Sequence, residues 1–190
     1  LSALTFVANI AQQHLDACFT SNNTAIQGEG TIKGNFIEGY HLNLEALLEH
    51  CSLQQLAGVK ADVGVGSMVN ISFDSDAAFE TLDTKGSLCY NHFDSPQRSV
   101  MMKDLFFDFA TNADTTTTHL SAGNMTLSFG TMGHIAQLAP QLVPMTDYLK
   151  TCAERLRISH DTLRTLLPGL NLNLHAGNDN PMSNILRVMG

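Results

Sequence analysis

Chemistry at a protein site needs a few reactive side chains held at a defined spacing, and this chain offers several to test. Its eight histidines stand singly, without the HxH or HExxH spacing that sets two imidazoles on one metal. Cys18, Cys51, Cys89 and Cys152 lie far apart with no CxxC pair. Four separate buried or half-buried thiols are expected, and whether any two pair is left open. Asp74-Ser75-Asp76 starts like a calcium loop but lacks the remaining oxygen ligands, and reads as a solvated strand end. Gly28-Glu29-Gly30 and Gly64-Val65-Gly66 complete neither GxGxxG nor a P-loop, so they read as turns or strand irregularities. Serine, histidine and aspartate are all present, yet no GxSxG elbow presents a nucleophile. Asn22-Asn23-Thr24, Asn70-Ile71-Ser72 and Asn124-Met125-Thr126 match the glycosylation sequon, as chance allows in a chain rich in Asn and Thr. No catalytic residue, metal or cofactor is expected, and the chain reads as a non-enzyme.

The 190 residues, 44% of them hydrophobic, suffice for one core. Eighteen acidic against ten basic residues give a net charge of −8, and no basic cluster exceeds the pair Arg155 and Arg157. Phosphate binding needs concentrated Lys and Arg, so nucleic acid is a poor partner. No run is long and apolar enough for a membrane-spanning helix. The chain opens at Leu-Ser and closes at Val-Met-Gly, and is expected to be one segment, 1–190, of a longer protein.

The elements that would position a site are mainly strands. Residues 25–36 are short, glycine-punctuated and β in character, and Tyr40, Leu42 and Leu44 alternate with polar neighbours. The same period-two pattern carries Val69, Ile71 and Phe73, then Leu88 and Tyr90, then Leu105, Phe107 and Phe109. Thr115 to Leu120 leads through the turn Ala122-Gly123-Asn124 to Met125, Leu127 and Phe129. Residues 1–20 suit a helix or a strand, and are read as a hairpin turning near Gln12-Gln13. At least seven short strands joined by turns predict a mainly β fold (α+β), a curved, meandering antiparallel sheet over 1–130. Pro140, Pro144 and Pro168 punctuate two or three short helices within 131–168. The rest, 169–190, reads as a strand through Leu170, Leu172 and Leu174, a turn from His175 to Asn180, and a short helix over 181–189.

Alternation gives many strands one apolar face. A second sheet could bury it as a sandwich, each Leu or Phe contributing roughly 1.5–3 kcal/mol. An incompletely closed sheet would instead leave a trough for an apolar ligand. Periodicity alone leaves both open.

The run LFFDFATNADTTTTHLSAGNMTLSF, a proline-broken helical stretch, and then RLRISHDTLRTLLPGLNLNLHAGNDNPMSNILR resemble the TamB family. That family lies within the wider AsmA-like group, and the resemblance is strongest to Bacteroidetes versions. The "SAG-N-hydrophobic" hairpin, the helix ending in Leu-Pro, the strand after it and the Asn-Pro before "NIL" carry it, from about residue 101 onward. Residues 24–100 agree in style (GTIKG, DTKGSL). The resemblance implies a periplasmic location and a parent protein anchored in the inner membrane. It implies a long curled sheet with a hydrophobic inner face, and a role in outer-membrane biogenesis. That role is as a phospholipid conduit, or in assembly of outer-membrane proteins with a barrel partner. Phospholipid or another acyl-chain lipid is then the expected partner. An acyl chain gains about 0.8 kcal/mol per CH₂ on leaving water, and the expected groove lining is Val69, Ile71, Phe73, Leu105, Phe107, Phe109, Met125, Leu127 and Phe129. Leu170, Leu172 and Leu174 follow the helical segment and are expected to pack on it. That segment could cap one end of the trough.

Overall fold

The computed structural model describes residues 3–58, 62–96, 98–138, 171–178 and 180, with 140, 144, 147, 148, 151, 152, 159, 161, 162, 165 and 169. Its strands are β1 (Leu4–Ala11), β2 (His14–Asn22), β3 (Ile26–Asn35), β4 (Tyr40–Ser52), β5 (Gly64–Ser75) and β6 (Leu82–Ser95). They continue as β7 (Arg98–Met101), β8 (Leu105–Thr111), β9 (Thr115–Ala122), β10 (Met125–Met132) and β11 (Asn171–Ala176). All belong to one antiparallel sheet in the order β1-β2-β3-β4-β5-β6-β8-β9-β10-β11, open rather than closed into a barrel. Short turns explain most of the meander: from β1 to β6 and from β8 to β10 each strand pairs with the next because too few residues intervene for a crossover, while β11 returns beside β10 after the helical segment. The one detour is β6, whose first half (Leu82–Leu88) pairs with β8 and whose second half (His92–Ser95) pairs with β7.

The first hairpin turns at Gln12 (φ 50°) and Gln13 (φ 63°), the left-handed pair that a two-residue turn of this hand requires. The β9–β10 turn uses Gly123 at φ 58°. Between β4 and β5 lies a helix that the alternating pattern did not announce, α1 (Leu53–Ala57). Its ends are nevertheless marked: Ser52 accepts the Gln55 N–H as N-cap, and Gly58 at φ 65° closes the C-terminus. Helical backbone at 135–138, 140, 144, 147, 148, 151, 152, 161, 162 and 165 accords with the proline-broken helical reading of 131–168. The short helix expected over 181–189 lies outside the described residues. The turn expected to start at His175 begins later, because β11 runs on to Ala176.

One sheet forms the whole β region, so a two-sheet sandwich is not the answer among the described residues. The largest fully buried side chains are threonines, Thr111 and Thr116, and the buried apolar residues include three alanines but no phenylalanine. Layered domains bury Leu and Phe completely; in this sheet the leucines and phenylalanines are half-buried or exposed, and the one buried leucine among the described residues, Leu138, lies in the helical segment. One margin of the sheet, at the ends of β8, β9 and β10, is closed by hydrogen bonds. There the Thr116 hydroxyl, 2.7 Å from that of Thr111, donates to the Gly133 carbonyl, and the Ile135 N–H donates to the Thr111 hydroxyl.

Candidate functional site: an uncovered apolar face

Register decides which residues share a face. One row of partners reads Ala8, Ala17, Ile32, Leu44, Ile71, Gly86, Phe107, Leu120, Leu127 and Leu174 across ten strands. None of the ten is charged or hydrogen-bonding in its side chain. The row through Phe73, Phe109 and Phe129 flanks it on one side, and the row through Val69, Leu105 and Met125 on the other. All nine residues expected to line a groove therefore fall in three adjacent rows of one face, three each from β5, β8 and β10. The intervening strands β6 and β9 add Leu88 and Leu120, and the flanking strand β4 adds Leu42, Leu44 and Ala46. Leu42 and Leu44 already showed the alternation, and only their pairing with Phe73 and Ile71 places them on this face.

With about 4.8 Å between strands and about 3.4 Å per residue, the three rows span roughly 43 Å by 14 Å. That footprint is on the order of 600 Å², of which part is shielded, since Ala46, Val69, Ala122 and Met125 within it are buried. The face grows more open towards its two edges, where Phe6 is 59% and Leu174 63% exposed. This corrects the expectation for the terminal leucines. Leu172 and Leu174 do not pack beneath helices but extend the face on β11, opposite Phe129 and Leu127; Leu170 lies outside the described residues.

Glycine lowers the face under its aromatic rings. A Cβ at Gly86 would stand 2.4 Å from the Phe107 ring, and one at Gly30 would stand 2.5 Å from that of Phe19. The rings lie over their glycine neighbours, an arrangement that stabilises both. Gly64 and Gly66 are likewise overlain by the rings of His50 and His92, which accounts for the Gly-Val-Gly motif without any phosphate.

The opposite face is polar. His41 and Asp74 meet at 2.6 Å across β4 and β5, and Lys85 reaches Asp83 at 3.3 Å. The hydrogen bond that Lys85 donates to Asp83 and the charge of that carboxylate, with Asp108 and Asp74 near, hold the Lys85 ammonium above its ordinary pKa. Cys18 lies on this side and is exposed, contrary to the expectation of buried or half-buried thiols; Cys51 and Cys89 are half-buried, Cys152 is buried, and all four are free. Asp76 leaves the strand end to close the turn that follows, accepting from the Glu80 N–H, the Thr81 N–H and the Thr81 hydroxyl.

One arrangement on the polar face bears on catalysis. Asp108, His119 and Ser128 are successive register partners on β8, β9 and β10, and the His119 ring sits 2.9 Å from the Ser128 hydroxyl. No hydrogen bond joins Asp108 to His119 among the described residues, so nothing fixes the imidazole for proton transfer. The backbone around Ser128 is committed to ladders with β9 and β11, leaving no pair of N–H groups aimed at a developing oxyanion. The row lies in a shallow, open depression of the sheet, and it has the residues of a hydrolase without the geometry. Among the described residues no three His, Cys, Asp or Glu side chains converge to hold a metal ion. The apolar face is the distinguishing surface of the chain. Comparison of the chain with protein-family models, with curated proteins and with solved structures finds no match.

Proposed function

We propose that this chain is a non-catalytic segment of a periplasm-spanning protein of the TamB/AsmA-like kind, and that its apolar face shelters the acyl chains of phospholipid in transit to the outer membrane. The observation that carries the proposal is the face itself: three largely apolar rows over ten strands, interrupted only by Thr84 and Thr118 in one flanking row, with no second sheet over them among the described residues. A hydrocarbon chain laid on it leaves water at a gain of about 0.8 kcal/mol per CH₂, while the headgroup stays wet. Repetition of equivalent rows offers many similar positions, as movement along a surface requires. The motif resemblance in residues 101–190 supplies the periplasmic setting and the inner-membrane anchor of the parent. A fluorescent phospholipid titrated into the chain tests the reading. Binding at micromolar protein is expected, weakened at least tenfold by Phe107→Asp and unchanged by Ser72→Asp on the polar face. No binding, or equal loss from both variants, would overturn it.

A second reading rests on the edges. β1 (LTFVANIA) and β11 (NLNLHA) carry no acidic, lysine, arginine or proline residue, the devices that normally block further pairing. Strand addition there would recruit a protein partner, such as an outer-membrane barrel protein in assembly. A peptide with the β11 sequence should then compete for the β1 edge, read as line broadening confined to β1 amides.

A further inference from the structure

Bulges fall at one end of the sheet. Register shifts between Gln27 and Gly28, between Leu48 and Cys51 and between Gly66 and Met68 place extra residues on β4 and β6. There the apolar face deepens into a cavity of about 420 Å³. Val69, Leu88 and Leu105 of the outermost row line it, as do Val65 and Phe93, partners beyond the bulges. The volume suits a small ligand, for which pockets run about 300–1,000 Å³, and not a docking helix.

The polar groups that reach this lining are already used. The Ser67 hydroxyl donates to the Asn91 side-chain oxygen at 2.7 Å, and the Asn91 amide donates to the Leu88 carbonyl at 2.7 Å and the Lys103 carbonyl at 3.1 Å. A polar ligand would find little left to bond, whereas an apolar one leaves these groups satisfied. The wall is also held under strain. Tyr90 adopts φ 53°, a left-handed conformation that bulky residues seldom take, and its N–H donates to the Asp104 carboxylate at 3.1 Å. The Met102 N–H then bonds the Asn91 carbonyl at 2.7 Å. Strain of this kind persists where surrounding structure over-determines it, as in ligand clamps. Lys103 is the one charged residue on the lining among the described residues.

We propose that this pocket holds the terminal segment of a single acyl chain whose anionic headgroup lies toward Lys103. The inference rests on the acyl-binding reading of the face and adds to it a fixed holding site at one end. Native thiols report on it, since Cys51 lines the pocket while Cys18 and Cys89 lie on the opposite face. Burial pushes the Cys51 thiol above its ordinary pKa, so alkylation by iodoacetamide is followed at alkaline pH, residue by residue, by mass spectrometry. Sub-micellar dodecanoate should slow Cys51 at least fivefold and leave Cys18 and Cys89 unchanged. Dodecyltrimethylammonium, with the same tail and the opposite charge, should protect less, and Lys103→Glu should reverse that order. Unchanged Cys51 reactivity at saturating dodecanoate, equal slowing of all three thiols, or a charge order unmoved by Lys103→Glu would overturn the pocket. If fluorescent phospholipid still binds in that event, the face reading stands and the pocket alone falls.

Discussion

The two faces of this sheet are built from the same strands and the same hydrogen bonds, yet they differ in what each side chain can do for the fold. On one face the partners of Phe107 are Gly86 and Leu120; on the other the partners of its neighbour Asp108 are Lys85 and His119. The polar side is already satisfied by water and by exposed pairs, which contribute little. The apolar side takes its stability from within-sheet contact and still leaves surface unused. A sheet gains most by burying its apolar face against another element, and that unused surface is where a partner or ligand adds most.

The largest effect that could break this contrast comes from Phe107→Asp. Placing a carboxylate over Gly86 removes a half-buried ring and should cost about 2–3 kcal/mol, whereas Asp108→Ala should stay within about 0.5 kcal/mol. Urea midpoints compare the two, and equal shifts would mean that the faces are energetically alike. Next comes the closed margin of the sheet. Thr116→Val leaves the Thr111 hydroxyl and the Gly133 carbonyl without their partner, a loss of about 1–3 kcal/mol readable in the same titration. A smaller effect on stability is expected at the β1 edge, where Val7 is exposed. Val7→Lys should leave the urea midpoint within about 0.5 kcal/mol while abolishing concentration-dependent association in sedimentation. An unsubstituted chain that stays monomeric at high concentration would show the edge to be blunt already.

The smallest effect is a local pH response. Shielding from water pushes the Asp76 carboxyl up slightly, but hydrogen bonds from Glu80 and Thr81 outweigh it and hold the group below its ordinary pKa. A depressed carboxyl contributes stability that is present above its unfolded value and lost as pH falls through the folded one. The amides of Glu80 and Thr81 should therefore shift together only below about pH 3.9, the ordinary aspartate value. A transition above that value would contradict the turn.

Much of the apolar face was legible because a regular strand keeps strict phase. Val69, Ile71 and Phe73 could be assigned to one side from alternation alone, and so could the triplets on β8 and β10. What stayed hidden depended on phase breaks and on pairing. In LEALLEHCS, Leu48 and Cys51 face the same way only because a bulge inserts a residue between them, and no spacing rule reveals that. The terminal leucines failed for a different reason. Proximity in sequence to a helical segment suggests packing on it, whereas hydrogen bonding to β10 commits them to the sheet. The pocket was illegible because it needs two bulges, α1 and the segment after β7 at once.

The glycines beneath the rings have one more consequence. Gly30 and Gly86 do not have left-handed backbone, so conformational freedom does not explain them; overlap with Phe19 and Phe107 does. A ring tipped over a missing side chain presents its flat surface and levels the steps between strands. For any hydrocarbon carried there, the glycines would set friction rather than affinity. A methyl group at Gly86 would lift the ring into a ridge, leaving the chain held as tightly but slower to pass.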